Sequence, residues 1–146
     1  MDGIETKVLL IDDEEAFVTA LEKRLSIRKL KVFTALSGQD GLAKLRTEPD
    51  VDVVLLDVKM PGMDGITTLR SIKIENPIVE VIMLTGHATV ESAIEGMRLG
   101  AFDYLMKPCE VDELLAKVGE AAAKKRAHQE KILEATGKEL LRRRGL

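Results

Sequence analysis

The chain has 146 residues, 45% hydrophobic and 32% charged, which fits one soluble globular domain with room for a tail and excludes a wholly disordered chain. Three Phe, one Tyr and no Trp rule out an aromatic platform for stacking single-stranded bases; a lone cysteine, Cys109, rules out an internal disulfide or a multi-Cys zinc site, and two histidines leave little for a His-based one. The net charge of −3 is uneven: residues 1–120 hold 14 basic and 22 acidic side chains and residues 121–146 hold 8 and 3, so an acidic body carries a basic tail.

Val8-Leu9-Leu10-Ile11 is a short apolar run, β-branched at both ends, that stops at Asp12-Asp13 and predicts a buried strand. Phe17, Ala20, Leu21 and Leu25 then repeat at helical spacing, with Glu14 and Glu15 in the first turn, where negative charge suits the helix dipole. Residues 32–35 predict a weaker second strand. Ser37-Gly38-Gln39-Asp40 resembles a capping box and opens a helix through Leu42 and Leu45. Val53-Val54-Leu55-Leu56 is the cleanest buried strand and ends at Asp57, before the turn-rich stretch Lys59-Met60-Pro61-Gly62-Met63-Asp64-Gly65. Ile66, Leu69 and Ile72 mark a third helix, stopped by Asn76-Pro77. Val81-Ile82-Met83-Leu84 is the fourth strand and ends at Thr85-Gly86. Val90, Ala93, Ile94 and Met97 give a fourth helix, stopped at Leu99-Gly100. Residues 102–106 form a fifth strand ending at Lys107-Pro108, and Val111, Leu114, Leu115 and Val118 open a fifth helix.

Five strand–helix units in this length imply a parallel sheet with helices on both faces, and the strands read as apolar runs because both their faces are covered. No apolar run approaches the ~18 residues that a bilayer span needs. Residues 1–7 lack the apolar stretch of a signal peptide, so a reduced cytoplasmic setting is expected.

In open parallel sheets, ligand sites lie at the carboxyl ends of the strands. Those ends here are Asp12-Asp13, Asp57, Thr85 and Lys107: three carboxylates, a hydroxyl and an amine. Clustered carboxylates repel one another and attract a cation, and an all-oxygen set favours Mg²⁺. An ammonium and a hydroxyl can hold phosphoryl oxygens, and an Asp carboxylate can itself attack phosphorus to give an aspartyl-phosphate. No histidine base is required, because the carboxylate is already ionised at neutral pH.

Over about residues 5–122 the chain resembles the receiver domain of two-component response regulators. The resemblance rests on Asp12-Asp13, Leu55-Leu56-Asp57, the loop Met60-Pro61-Gly62-Met63-Asp64-Gly65, Thr85-Gly86, Tyr104 and Lys107-Pro108, in family order and spacing. Thr85-Gly86-His87-Ala88 and Gly100-Ala101-Phe102-Asp103-Tyr104 look most like receivers of the nitrogen-regulation type. The resemblance implies a flavodoxin-like doubly wound α/β fold: a five-stranded parallel sheet in the order 2-1-3-4-5 with five helices. It implies that Asp57 accepts a phosphoryl group from a sensor histidine kinase. Asp13, Asp57 and the backbone carbonyl of Lys59 would bind Mg²⁺ (or Mn²⁺) directly, and Asp12 through a water. Lys107, joined to Pro108 by a cis peptide bond, would contact the phosphoryl group. Thr85 would turn inward and Tyr104 would follow it, altering the face of helix four, strand five and helix five. On this reading the chain is a signalling phosphoacceptor that catalyses only its own phosphorylation and dephosphorylation, with an output protein or domain as partner and no membrane or direct nucleic-acid contact by the receiver itself.

Taken singly, the same residues have plainer readings. Asp12-Asp13 fits a helix N-cap pair, Asp57 the start of a loop, and Lys107-Pro108 a solvated turn. His87 reads as an exposed loop side chain, or as an influence on the water that hydrolyses the acyl phosphate. Cys109 reads as a small residue at a helix start rather than a redox sensor. A haloacid-dehalogenase-type phosphatase would need Asp-x-Asp after strand one, where Asp12-Asp13-Glu14 stands. A flavodoxin-like electron carrier would need a Ser/Thr/Gly-rich loop there. A docking module that works without phosphorylation stays open.

Residues 1–122 are expected to form the receiver and residues 123–146 a basic helical tail or linker. The fifth helix should continue into that tail, since residues 121–127 hold no Gly or Pro and Ile132, Leu133, Thr136 and Leu140 keep a helical spacing, with Gly137 a weak point. Arg142, Arg143 and Arg144 suit a helix C-terminus. Lys124-Lys125-Arg126 interrupts the apolar stripe and argues against a continuous coiled coil. The tail is expected to pack against a partner or a second copy of the chain, forming a homodimer in the latter case. Nothing after residue 122 reads as a second core, a helix-turn-helix or a nucleotide-binding loop.

Overall fold

The computed structural model describes residues 5–60, 62–86 and 89–145. The expected alternation holds throughout: β1 (Lys7–Ile11), α1 (Glu15–Ile27), β2 (Lys31–Ala35), α2 (Gly38–Thr47), β3 (Val53–Leu56), α3 (Gly65–Glu75), β4 (Glu80–Thr85), α4 (Val90–Arg98), β5 (Asp103–Met106) and α5 (Val111–Arg143). The strands form one parallel sheet in the order β2-β1-β3-β4-β5, the flavodoxin-like topology.

Alternate residues of each strand feed opposite sides of the sheet. Leu9, Ile11, Val54, Leu56, Val81 and Met83 pack with Leu42 and Leu45 of α2 and Leu69 and Ile72 of α3. Val8, Leu10, Val53, Leu55, Ile82 and Leu84 pack with Val18, Leu21 and Leu25 of α1 and Leu114 and Val118 of α5. Both sides of each inner strand are covered, which is why the strand sequences are unbroken apolar runs. Burying each such side chain is worth about 1.5–3 kcal/mol relative to exposure.

The helix starts follow their local chemistry. Asp40 N–H donates to Ser37 Oγ at 3.1 Å, and Thr67 N–H donates to Asp64 Oδ1 at 2.8 Å. At α4, Ser92 N–H donates to Thr89 Oγ1 while Thr89 N–H donates to Ser92 Oγ, a reciprocal capping box. In α1, Val18 is buried and Ala20 exposed, so the core-facing stripe is Val18, Leu21 and Leu25, with Phe17 at its edge.

Helix α4 forms where its spacing predicts, but Val90, Ile94 and Met97 lie on the surface. Its buried residue is Gly96, where a Cβ would lie 3.7 Å from the Met83 side chain. The helix therefore seats its backbone on β4 and presents its apolar residues outward, beside the half-exposed Met106 of β5.

Helix α5 runs unbroken for 33 residues, through Gly137, to Arg143. Lys125 and Arg126, which in the sequence interrupt the apolar stripe, face the body. Lys125 Nζ lies 3.2 Å from Asp52 Oδ1, and Arg126 Nη2 donates to Asp52 Oδ2 and Thr6 Oγ1, both at 3.1 Å. Asp52, just before β3, also accepts from Lys7 N–H at 2.9 Å. Farther along, Ile132, Leu133, Leu140 and Leu141 are exposed. Among the described residues no helix is long and apolar enough to cross a membrane.

Candidate functional site

Parallel register brings the strand ends to one rim. Ile11 is opposite Leu56, and Leu56 is opposite Met83, so Asp12 and Asp57 leave neighbouring strands at the same level. The ladder extends one residue further to fix their backbones: Asp12 N–H donates to the Ala35 carbonyl at 3.1 Å and Asp57 N–H to the Ile11 carbonyl at 3.0 Å. Lys107 N–H donates to the Thr85 carbonyl at 2.9 Å and sets the lysine at the same rim.

One carboxylate oxygen from each of Asp12, Asp13 and Asp57 lies within 4.8 Å of the other two. Asp12 and Asp57 are buried and Asp13 is exposed, so the cluster opens to solvent on one side. Asp57 Oδ1 is buried and has no hydrogen-bond partner among the described residues, a costly state for a carboxylate oxygen. Asp12 accepts from Glu14 N–H at 2.9 Å and from Lys107 Nζ at 2.6 Å. Even so, burial keeps its carboxyl above the usual range, and the Asp57 charge adds to the rise. Burial works against the Lys107 ammonium too, but its hydrogen bonds to Asp12 and Glu14 outweigh this and hold its pKa above the ordinary lysine value. The two shifts differ in balance because Asp12 is the more deeply enclosed partner.

Three converging carboxylates, one of which also carries a buried oxygen with no partner among the described residues, suit a small divalent cation such as Mg²⁺. The peptide bond between Lys107 and Pro108 is cis. Lys59 lies two residues past Asp57, in the loop that Gly65 closes. Gly65 N–H donates to the Val58 carbonyl at 2.7 Å, and a Cβ at Gly65 would lie 2.2 Å from the Asp57 carbonyl oxygen, so only glycine permits this approach.

Thr85 is fully buried at the end of β4. Tyr104 is half-buried on β5, opposite Met83, and its hydroxyl lies 3.1 Å from Ser92 Oγ in the capping box of α4. The Cys109 thiol is pushed up to about 11, mainly by burial and then by Glu113, so it is not a thiolate at neutral pH. Pro61 and His87 lie outside the described residues.

Sequence reasoning gave Glu14 only a helix-dipole role. It lies 3.0 Å from Lys107 Nζ, and the Phe17 ring centroid lies 3.9 Å from the same atom. The acidic run Asp12-Asp13-Glu14-Glu15 was the signal present, but it does not say which carboxylate turns to the lysine.

Comparison with known proteins matches residues 8–119 to the response regulator receiver domain. The transcriptional regulatory protein ZraR of Klebsiella oxytoca is 37% identical over 134 residues, covering 92% of this chain and 30% of that protein. The DNA-binding transcriptional regulator NtrC of Klebsiella pneumoniae is 39% identical over 112 residues, 77% of this chain and 24% of that one. The chain thus spans less than a third of the length of these relatives. Among solved structures, a receiver domain from Clostridium thermocellum superposes with a TM-score of 0.80 at 37% identity, covering 84% of this chain and 98% of that one. A CheY-like receiver from Methanospirillum hungatei JF-1 gives 0.81 at 29% identity, covering 86% and 99%. The acidic rim, the fold and these likenesses agree, and the chain belongs to the response regulator receiver domain family, with receivers of the NtrC type among its relatives.

Proposed function

We propose that Asp57 accepts a phosphoryl group from the phosphohistidine of a sensor histidine kinase, in a reaction that needs Mg²⁺ (or Mn²⁺). The observation that carries this reading is the unpaired, buried Asp57 Oδ1 inside a cluster of three carboxylates beside a lysine. A carboxylate oxygen of Asp57 attacks phosphorus, the P–N bond to the kinase imidazole breaks, and its electron pair returns to the ring nitrogen. Water later cleaves the acyl phosphate and restores the carboxylate with release of inorganic phosphate. Asp13, Asp57 and the Lys59 carbonyl would hold the metal, with Asp12 acting through a water. When bound, the cation neutralises charge on the transferring group. Lys107 and Thr85 hold phosphoryl oxygens. The chain is thus a signalling phosphoacceptor, catalysing only its own phosphorylation and dephosphorylation.

The readout is the face of α4, β5 and α5. Thr85 and Tyr104 lie near each other on adjacent strands, and Tyr104 reaches the start of α4 through Ser92. A shift of this pair would move a helix whose apolar residues are already outward, and so control a partner or an output domain. ZraR and NtrC are named as transcriptional regulators, which favours an output of that kind. We read residues 1–122 as the receiver and residues 123–146 as a basic tail, its first turn tied to the body by Lys125 and Arg126 and its apolar residues available to a partner or a second copy. Phosphotransfer profiling tests the kinase assignment. One radiolabelled histidine kinase of the host should pass its label to this chain fastest, and no transfer to wild type from any kinase would contradict the reading.

A further inference from the structure

Lys107 is held from three directions at the start of α1. Its ammonium donates to Asp12 Oδ2 at 2.6 Å and to Glu14 Oε1 at 3.0 Å, and it sits 3.9 Å from the centroid of the Phe17 ring. A ring face attracts a cation. Glu14 and Phe17 stand three residues apart, so one turn of chain presents both to the same atom. Meanwhile Asp57 Oδ1 receives no hydrogen bond from any described residue, Lys107 included. The ammonium is therefore drawn toward α1 rather than toward that oxygen.

We propose that Glu14 is a positioning residue which, with Phe17, keeps Lys107 retracted and competes with a phosphoryl group on Asp57 for the lysine ammonium. The proposal rests on the phosphoacceptor reading of Asp57. Glu14 is the partner that can be exchanged. The Asp12 side chain is 1% exposed, so its pair with Lys107 is shielded from water; the Glu14 side chain is 61% exposed, and water can replace the lysine there at small cost. The buried pair keeps Lys107 at the site while the exposed one decides how much of its time it spends turned away.

Neutralising Glu14 should release the lysine. The modest worth of an exposed ion pair sets the size: Glu14→Gln should take up phosphoryl groups about two- to fivefold faster. The same variant should bind beryllofluoride, a phosphoryl mimic, more tightly by a similar factor. Glu14→Gln also removes a negative charge near an anionic donor, and two further arms separate that effect. In a Lys107→Met background, Glu14→Gln should change nothing, because it acts through the lysine. Phe17→Leu alters no charge and should also speed uptake.

The experiment uses the full chain with Mg²⁺ and acetyl phosphate, with beryllofluoride titrations beside the rates. A gain in Glu14→Gln that vanishes without the lysine supports the proposal. A gain that persists in the Lys107→Met background, or no gain in Glu14→Gln, overturns it. If Lys107→Met does not fold, Phe17→Leu decides the matter, and unchanged uptake there overturns the proposal. A wild-type chain that takes up no phosphoryl group overturns the phosphoacceptor reading and this proposal together; a competent wild type with an indifferent Glu14→Gln overturns the proposal alone.

Discussion

Lys125 is buried against Asp52, with Nζ 3.2 Å from Oδ1 and each side chain only 6% exposed. The pair joins the long C-terminal helix to the entry of the central strand, on the rim opposite the acidic cluster. Arg126 shares the same carboxylate, and Gln129 accepts from Lys125 one turn further on. Buried charge thus ties α5 to the body just past its last apolar core contacts, Ala121 and Ala122.

Removing that carboxylate leaves a buried ammonium without its counter-charge. Asp52→Ala should destabilise the fold by about 3–5 kcal/mol. Hydrogen exchange should rise in α5 beyond residue 122 more than in the first turns of the helix. Urea melts and exchange of the same protein check both. A loss under 1 kcal/mol would mean that the pair adds little to stability.

The pH dependence of the metal-free fold follows from Asp12. Its folded pKa is raised above 3.8, first by burial, so the fold binds this proton more tightly than the unfolded chain does. Its contribution is most favourable below the unfolded pKa. It falls as pH rises from there through the raised value, and then stays level. Adding Mg²⁺ at neutral pH should recover stability. Asp13→Asn, which removes a like charge at the exposed side of the cluster, should stabilise the metal-free fold by about 0.5–1 kcal/mol while weakening Mg²⁺ binding. Melts in EDTA and in Mg²⁺ read both effects, and a clear loss of metal-free stability in Asp13→Asn would contradict the repulsion argument.

Tyr104 can be followed without labels, since the chain holds one tyrosine and no tryptophan. Phosphorylation should change its fluorescence as it leaves Ser92. Thr85→Ala should still accept a phosphoryl group but show a smaller change. A full-sized change in that variant would remove Thr85 from the coupling.

Gly65→Ala should cost about 3 kcal/mol, the upper end for overpacking, and reduce Mg²⁺ affinity, because its Cβ would press on the Asp57 and Val58 backbone at 2.2–2.7 Å. Calorimetric Mg²⁺ titration checks this. Unchanged affinity would mean that the loop can relax without moving Asp57.

The strand ends were legible in the sequence for a physical reason. Strands covered on both faces read as apolar runs, so the polar residue that breaks each run is the one at the rim. Asp12, Asp57, Thr85 and Lys107 were all found this way. The faces of helices were harder. The spacing of Val90, Ile94 and Met97 predicts a helix but not which side is buried, and the side that packs is marked by the small residue Gly96. Long-range ionic partners away from the strand ends were not legible. Lys124-Lys125-Arg126 reads as an interruption of the apolar stripe, and nothing local indicates that Asp52, more than 70 positions earlier, turns two of the three inward. Glu14 was missed for the same reason, its partner Lys107 being 93 positions away.

Phosphoryl uptake at Asp57 is the most direct test. The chain should be incubated with acetyl phosphate in Mg²⁺, in EDTA, and as Asp57→Asn, and its intact mass measured. One base-labile phosphoryl group on the wild type in Mg²⁺, and none in the other two samples, is the predicted result. Comparable uptake by Asp57→Asn, or no uptake by the wild type in Mg²⁺, would contradict the assignment.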